Sequence, residues 1–578
     1  MKPLRALAYA QRHRPRFLTE LKEFVRFPSV SNQPQHAGDL RKCASWLAAH
    51  LRRIGLEHVR IVPTSRHPIV YASWQHARGR PTILIYGHYD VQPPEPLEEW
   101  RTPPFEPVVR GNNLYGRGAC DDKGQLFTHV KALESYLKTE RKLPVNVKCV
   151  FEGEEELGAS PGLETFVKRN QSALRADAAL MSDTRMLGPG RPALGYSQRG
   201  NLRFELEVRG PQHDLHSGNF GGAVHNPLQV LCEIIASLHD SDGRVTVPGF
   251  YDKVREWSAE ERGYMERTGP KDEEILRDAG VPKKWGEAGY SLYERVTIRP
   301  ALTLNGIGGG YQGAGIKTVI PARALAKMSI RLVPDQNPRE IEELVRRHIA
   351  EATPSTVSVT MKTLGISNTA LVNRNHPALR AAVSAYQRGF GAKPVFLRSG
   401  GSVPAASIFQ KTLGIPTVLM GFALPDDRIH APNEKFHLPN FYRGIETSIW
   451  YLAEGGWVAY RGRGRPRTLA GHEEWVAERF CRHAGNADVV RQELEREKGI
   501  RLTLRTVERE VRHLRRELEA EARATIRFET PPGQQLQIDF GERRVMIGDE
   551  NLKVYLFVAT LGYARRLYVQ PFRNERQE

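Results

Sequence analysis

Five short segments between residues 85 and 434 concentrate acids and histidines: IYGHYD, GACDDKG, EGEEELG, MSDT and DRIHAPNE. Each follows or ends an apolar run of strand length, and that placement constrains the fold more than any other feature. Runs at Thr82–Tyr86, Val145–Phe151 and Ala178–Met181 read as strands, and Gly124–Leu137 reads as a helix between two of them. Strands alternating with helices predict an α/β sheet covered on both faces. In open sheets of that kind ligands bind beyond the carboxyl ends of the strands, so the five segments are expected to converge there.

A chain of 578 residues exceeds one domain. The opening 60 residues read as helical, with Leu40, Ala44, Leu47, Leu51 and Ile54 forming one buried stripe. Around Tyr196 the pattern changes. Asn201–Arg209 alternates like a half-buried strand, helices are predicted at Pro227–Leu238 and Pro338–Ala350, and strands at Leu302–Asn305 and Ala326–Val333. From His376 the first texture returns, with a helix at Pro377–Tyr386 and a strand at Thr417–Met420. A catalytic α/β domain of residues 1–197 and 367–456 is therefore expected, interrupted by an α+β domain of residues 198–366. The stretch RGRGRPR after Tyr460 marks a linker over residues 457–472.

The formal net charge is +18, which invites a nucleic-acid reading. Residues 461–578 carry 24 basic against 19 acidic side chains, so only +5 of the excess lies there and charge does not locate a DNA site. Five scattered cysteines with no CxxC predict reduced, mostly buried thiols. The N-terminus lacks a signal-like apolar stretch, and no run of about 18 apolar residues is present, so the expected location is the cytoplasm with no membrane span.

Taken singly, the acid and histidine segments have plain readings. His88 and Asp90 lie on one side of a strand, where Asp90 can orient the imaidazole of a metal-binding histidine or simply pair with it. Asp121 and Asp122 fit a solvated loop, and Glu154, Glu155 and Glu156 fit a surface acid run. If buried, however, such acids need cations, because an unpaired buried carboxylate is very costly. Carboxylates with imidazoles and no cysteine suit Zn²⁺ or Mn²⁺, and two metals about 3.5–4 Å apart need a bridging carboxylate and further ligands each.

YGHYDVQPP, LYGRGACDDKG, EGEEELGAS, SDTR, DLHSGNFGG, KTVIP, SIRLVP, RSGGSVP and HAPNEKF occur in order. Together they resemble the signature segments of a dinuclear metallopeptidase family over about residues 15–455. That family includes carnosine and cytosolic nonspecific dipeptidases, aminoacylases and succinyl-diaminopimelate desuccinylase. The resemblance implies a zinc-peptidase-like catalytic domain with an inserted lid and dimerisation domain. It makes Asp121 the bridging ligand, adds His88 and Asp183 to one metal and Glu156 and His430 to the other, and makes Glu155 the general base. Asp90 would orient His88, and the Asp121–Asp122 peptide is expected to be cis. Substrate contacts are expected from Thr318, Arg331, Ser402, His430 and His216, with His216 reaching the partner's site in a homodimer. Two divalent cations are implied, zinc first, then manganese or cobalt. The implied reaction is hydrolysis of dipeptides, with N-acyl-amino-acid hydrolysis of aminoacylase or carbamoylase type as the alternative. Ser399 departs from the dipeptidase pattern, where glutamate is frequent.

The last 118 residues read differently. Ala487–Gly499 and a helix from Thr503 to about Ala520, crowded by Arg505, Arg509, Arg512, Arg515 and Arg516, suit either a DNA-binding helix-turn-helix over 473–525 or an ordinary charged helix pair. The strand-like run after PPGQQLQIDFGE resembles the start of an RNase H-like transposase core over 526–578, with Asp539 as its first catalytic aspartate. Such a core needs further acids beyond Glu578, so a broken catalytic domain is expected. A DNA-binding transposase remnant as the working part of the chain is the competing functional reading.

Overall fold

The computed structural model describes residues 3–158, 160–454, 472–483, 485–511, 514–515, 536–547, 550–561 and 567–572. The chain divides into two compact units, Met1–Tyr460 and Arg461–Glu578.

Among the described residues, the first unit contains a nine-stranded mixed sheet. Its order is Glu57–Val62, Ile69–Trp74, Asn146–Glu152, Thr82–His88, Ala178–Met181, Thr417–Leu419, Ala193–Gln198 and Ala370–Leu371, with Val395–Ser399 also paired to Ala193–Gln198. The four strands from Asn146–Glu152 to Thr417–Leu419 run parallel. They carry near-continuous apolar burial because both faces are covered: in Thr82–His88 only the first residue is not buried. Ile83 and Ile85 pack with the helices Ala37–Ile54, Lys123–Glu140, Pro377–Phe390 and Leu438–Ala453, while Leu84 and Tyr86 pack with Pro161–Arg169 and Pro404–Ile408. The stripe Leu40, Ala44, Leu47, Leu51 and Ile54 is buried on its helix, which stops at Gly55 in the left-handed region.

A second, four-stranded antiparallel sheet has the order Ala301–Gly309, Arg323–Leu332, Gly200–Arg209 and Ser358–Ser367. Burial alternates along Gly200–Arg209, and Leu202, Phe204, Leu206 and Val208 meet the helices Pro227–Ser237 and Pro338–Ala352. Two features of this unit differ from the sequence reading. The opening 60 residues are not wholly helical, since Glu57–Val62 forms an edge strand on which Val59 and Ile61 alternate with polar residues but none is buried. Three short helices, Ala259–Thr268, Asp272–Ala279 and Leu292–Thr297, also fill a stretch for which no element was predicted. Cys43, Cys120 and Cys149 are buried and free, but Cys232 is exposed. Among the described residues no helix is long and apolar enough to cross a membrane.

In the second unit, the helices Glu473–Arg482, Ala487–Lys498 and Leu504–Glu510 share a small apolar cluster of Val476, Phe480, Val490, Leu494 and Val507. The last of these helices gives way to a turn at Val511, Leu514 and Arg515 are helical again, and the predicted end near Ala520 lies outside the described residues. Residues 516–520 and the RGRGRPR linker lie outside the described residues. Leu536–Ile547, Glu550–Leu561 and Leu567–Phe572 form an antiparallel three-stranded sheet, with Asp539 opposite Val558 on its first strand.

Candidate active site

The parallel strands deliver the acids and histidines to one edge of the sheet. His88 is the last residue of Thr82–His88, and Asp183 follows Ala178–Met181 by two. Asp121 and Asp122 precede the helix Lys123–Glu140, and the peptide joining them is cis. Glu155 and Glu156 open a single helical turn after the strand Asn146–Glu152. His430 sits in the loop between Thr417–Leu419 and Lys435–His437.

Two three-residue groups result, His88 with Asp121 and Asp183, and Asp121 with Glu156 and His430. Within each, the potential ligand atoms lie within 4.8 Å of one another. Asp121 belongs to both. Its Oδ1 is 3.1 Å from His88 Nε2 and its Oδ2 is 2.9 Å from His430 Nε2. Asp183 Oδ2 stands 3.9 Å from His88 Nε2, and Glu156 Oε2 stands 3.3 Å from His430 Nε2.

Other acids hold the backbone that carries this cluster. Asp90 is fully buried; it accepts the N–H of Glu155 at 3.3 Å and of Glu156 at 3.0 Å. His88 Nδ1 lies 3.1 Å from the Asp90 carbonyl oxygen and 3.4 Å from its carboxylate, so main chain and side chain both orient the ring. Asp122 accepts the His88 N–H at 3.2 Å, and Gln92 donates to Glu156 Oε2 at 2.7 Å. Glu154 turns away from the cluster, accepting from Thr64, from His67 N–H and from Gly162 N–H. Sequence reasoning missed Gln92 and assigned no role to Glu434; both lie inside the quoted motifs, but only the fold reveals which groups they touch.

The electrostatics call for cations. Burial pushes the carboxyls of Asp122, Glu155 and Glu156 up and that of Asp183 up to about 7, and neighbouring acids add to each rise. Bonds to Asp121 and Glu156 raise the His430 imidazole to about 11. Burial opposes a charge on His88, but bonds to Asp121 and Asp90 outweigh it and raise its pKa well above the usual histidine value. Protons on two imidazoles thus supply the positive charge that the acids demand, at the two positions where a shared carboxylate faces a histidine. Hard oxygen and nitrogen donors around one shared carboxylate fit a pair of divalent cations. Asp122 also keeps a buried Oδ1 with no hydrogen-bond partner, a further sign of unbalanced negative charge.

The model of peptidase family M20/M25/M40 matches residues 84–452, which include every member of this cluster. The chain belongs to that family. It is 31% identical to a Cys-Gly metallodipeptidase, DUG1, of Candida albicans over 471 residues, covering 78% of this chain and 95% of the relative. It is 32% identical to the human Beta-Ala-His dipeptidase over 464 residues, covering 77% of this chain and 91% of the relative. Among solved structures, human carnosine dipeptidase 1 aligns with a TM-score of 0.69 at 30% identity, covering 79% of this chain and 99% of that one. The metallo-carboxypeptidase Sso-CP2 of Sulfolobus solfataricus aligns with a TM-score of 0.70 at 32% identity, covering 76% and 99%. The family match ends at residue 452, so the transposase-like expectation for the second unit gains nothing from it.

In this M20/M25/M40 peptidase the remaining predicted residues fall into two groups. Arg331 and Ser402 meet, with Arg331 Nη1 donating to Ser402 Oγ at 3.2 Å and Ser402 donating to the Arg199 carbonyl. Among the described residues Arg331 has no carboxylate partner, which leaves its guanidinium fork available to an anion. His216 belongs to a small ladder, Leu215–His216 against Val319–Ile320, beside which Ser217 N–H donates to the Thr318 carbonyl. His216 is exposed and accepts from Gly218 N–H at 3.0 Å. Among the described residues it forms no hydrogen bond with the acid–histidine cluster. Ser399 ends the strand Val395–Ser399 and accepts from Gly401 N–H at 3.1 Å.

Proposed function

We propose that this protein is a metallodipeptidase, hydrolysing the amide bond of dipeptides with two divalent cations, zinc first among the candidates. One observation carries the reading: Asp121 turns one carboxylate oxygen toward His88 and the other toward His430, the arrangement a bridging ligand requires. Relatives named Cys-Gly metallodipeptidase and Beta-Ala-His dipeptidase support the substrate class.

His88 and Asp183 would hold one cation, Glu156 and His430 the other, and Asp121 both. Held by these residues, a pair of divalent cations would supply Lewis acidity toward a water and the scissile carbonyl. Glu155 accepts the proton of the attacking water on its carboxylate and returns it to the leaving amine nitrogen. Asp90 fixes Glu155 through its N–H and keeps the His88 ring aligned. Arg331, steadied by Ser402, pairs with the free carboxylate of the dipeptide, since a guanidinium fork fits a carboxylate bidentately.

We further read residues 198–366 as a lid and dimerisation domain of a cytoplasmic homodimer, in which His216 serves the site of the second copy and Thr318 contacts substrate. The exposure of His216 supports this. For the second unit we propose DNA binding by the helix pair and an RNase H-like sheet, supported by the left-handed Gly499 that ends Ala487–Lys498 and by the three antiparallel strands.

The test is a panel of dipeptides, including Cys-Gly and β-Ala-His, and of N-acyl amino acids. It uses chelator-treated protein resupplied with Zn²⁺, Mn²⁺ or Co²⁺. Metal-dependent release of free amino acids from dipeptides is expected, and Glu155→Ala is expected to lower the rate by about 10²–10⁴-fold. Absence of dipeptide cleavage with every metal refutes the proposal, and full activity in Glu155→Ala refutes the assigned base.

A further inference from the structure

Glu434 is a fully buried carboxylate to which the proposed chemistry gives no part. Its Oε1 accepts the N–H groups of Cys120 at 2.9 Å and Asp121 at 3.0 Å. Its Oε2 accepts the Gly118 N–H and Arg117 Nη1, both at 2.9 Å. All four donors belong to the short loop Arg117–Asp121, which ends on the shared carboxylate.

The same residue closes the turn that carries His430. The Glu434 carbonyl accepts the Gly116 N–H at 3.0 Å, and the next residue, Lys435, donates its N–H to the Asp427 carbonyl at 3.0 Å and its Nζ to the Asp427 carboxylate at 2.8 Å. Asn433 accepts the Arg101 N–H at 2.9 Å and donates to the Glu99 carbonyl at 2.7 Å. These bonds matter because, beyond its contacts with Asp121 and Glu156, little else fixes His430. Its side chain is 52% exposed, and Arg428, His430 and Asn433 all have positive φ, a region non-glycine residues adopt only when their surroundings enforce it. Packing does not position this histidine; the base of its turn does.

We propose that Glu434 is a positioning residue for both cation sites, tying the loop that ends on Asp121 to the turn that presents His430. The proposal rests on the two-cation reading of the cluster. It follows that charge and acceptor count at position 434 matter beyond shape. A glutamine there would offer one acceptor oxygen and one NH₂ donor to four N–H groups, so one end of the clamp would meet donor with donor. Asn433 is a partial clamp that acts on the His430 turn alone.

Calorimetric titration of full-length, chelator-stripped protein with Zn²⁺ tests this. The wild type is expected to bind two equivalents. Glu434→Gln should weaken both by about 10–100-fold, the usual effect of removing a group that orients a metal ligand. Asn433→Ala, which changes a residue near the surface, should weaken one equivalent by at least about tenfold and spare the other. A purely structural Glu434 would lower the melting temperature of the metal-free protein and leave Zn²⁺ affinity unchanged, and that result overturns the inference. If Glu434→Gln does not fold, unchanged Zn²⁺ binding by Asn433→Ala overturns it instead. Fewer than two equivalents in the wild type would overturn the two-cation reading, and this inference with it. Two equivalents with unaltered variants would overturn this inference alone.

Discussion

Replacing Asp90 by asparagine preserves the outline of a fully buried side chain and changes one oxygen into an NH₂ group. Both oxygens are in use, Oδ1 on the Glu155 N–H at 3.3 Å and Oδ2 on the Glu156 N–H at 3.0 Å. Whichever way the amide turns, one N–H faces a donor. A buried N–H left without an acceptor costs about 1–3 kcal/mol, which corresponds to about 5–150-fold in an equilibrium or a rate. The substitution also removes the negative charge 3.4 Å from His88 Nδ1, and loss of such an orienting partner costs about 10–100-fold in activity or metal affinity. Both routes strike groups around the proposed cations, so kcat/KM for a cleaved dipeptide at saturating Zn²⁺ should fall by about 10–100-fold. Steady-state kinetics with the best substrate of the panel, together with circular dichroism to check the fold, measure this. A folded Asp90→Asn enzyme within about threefold of the wild type would refute the reasoning, since it would show that neither N–H anchoring nor ring orientation limits the site.

Three further outcomes follow from other parts of the structure. Gly124 sits where an added Cβ would lie 1.9 Å from the Ala119 carbonyl oxygen, so Gly124→Ala must displace the start of its helix and the adjoining Asp121–Asp122 peptide. A loss of about 1–3 kcal/mol in urea unfolding, with weakened Zn²⁺ binding, is expected, and unchanged values would count against the tight packing described. Burial lowers the pKa of His129 from 6.5 to about 3, so the folded protein binds fewer protons than the unfolded chain between those values. Stability from this residue is complete above pH 6.5 and is lost as pH falls toward 3, by up to about 5 kcal/mol; His129→Gln should flatten that acid dependence in urea titrations, and an unaltered slope would refute it. A chain ending at Tyr460 retains the whole first unit and should cleave dipeptides like the full chain; loss of cleavage in a folded truncation would assign the activity a need for the second unit.

What the sequence made legible was the chemistry that depends on position along a strand. His88 and Asp183 stand at or just past the ends of apolar runs, so their convergence follows from the parallel sheet. Glu155 and Glu156 were placed by the family motif alone, and in the structure they open a single helical turn. The exposed strand Glu57–Val62 was not legible because it lacks a buried face, and the helices between residues 259 and 297 were not because only Met265, Leu292, Tyr293, Glu294 and Thr297 among them are buried. Nor does a motif distinguish an acid that faces a histidine from one that faces the main chain. That difference arises from side-chain direction after folding.

The acids of the site form two sets with opposite tasks. Asp121, Glu156 and Asp183 face histidines and one another, an arrangement that is unfavourable until cations join it. Asp90, Asp122 and Glu434 instead accept backbone N–H groups, those of Glu155 and Glu156, of His88, and of Gly118, Cys120 and Asp121. Three of the proposed cation ligands, Glu156, Asp121 and His88, are thereby fixed through their own main chain by a second acid. A main-chain anchor leaves the ligand's side-chain oxygens or ring nitrogen free for a cation, whereas a side-chain anchor would occupy them. Glu152 marks the limit of the first set. It ends the strand beside His88, but burial pushes its pKa up to about 8 despite the hydrogen bond that Tyr86 donates at 2.5 Å, so at neutral pH it is mostly protonated and adds little negative charge. The preference for cations at this edge of the sheet therefore comes from acids that face histidines and one another instead of main-chain N–H groups, and the fold decides that by where it sends those N–H groups.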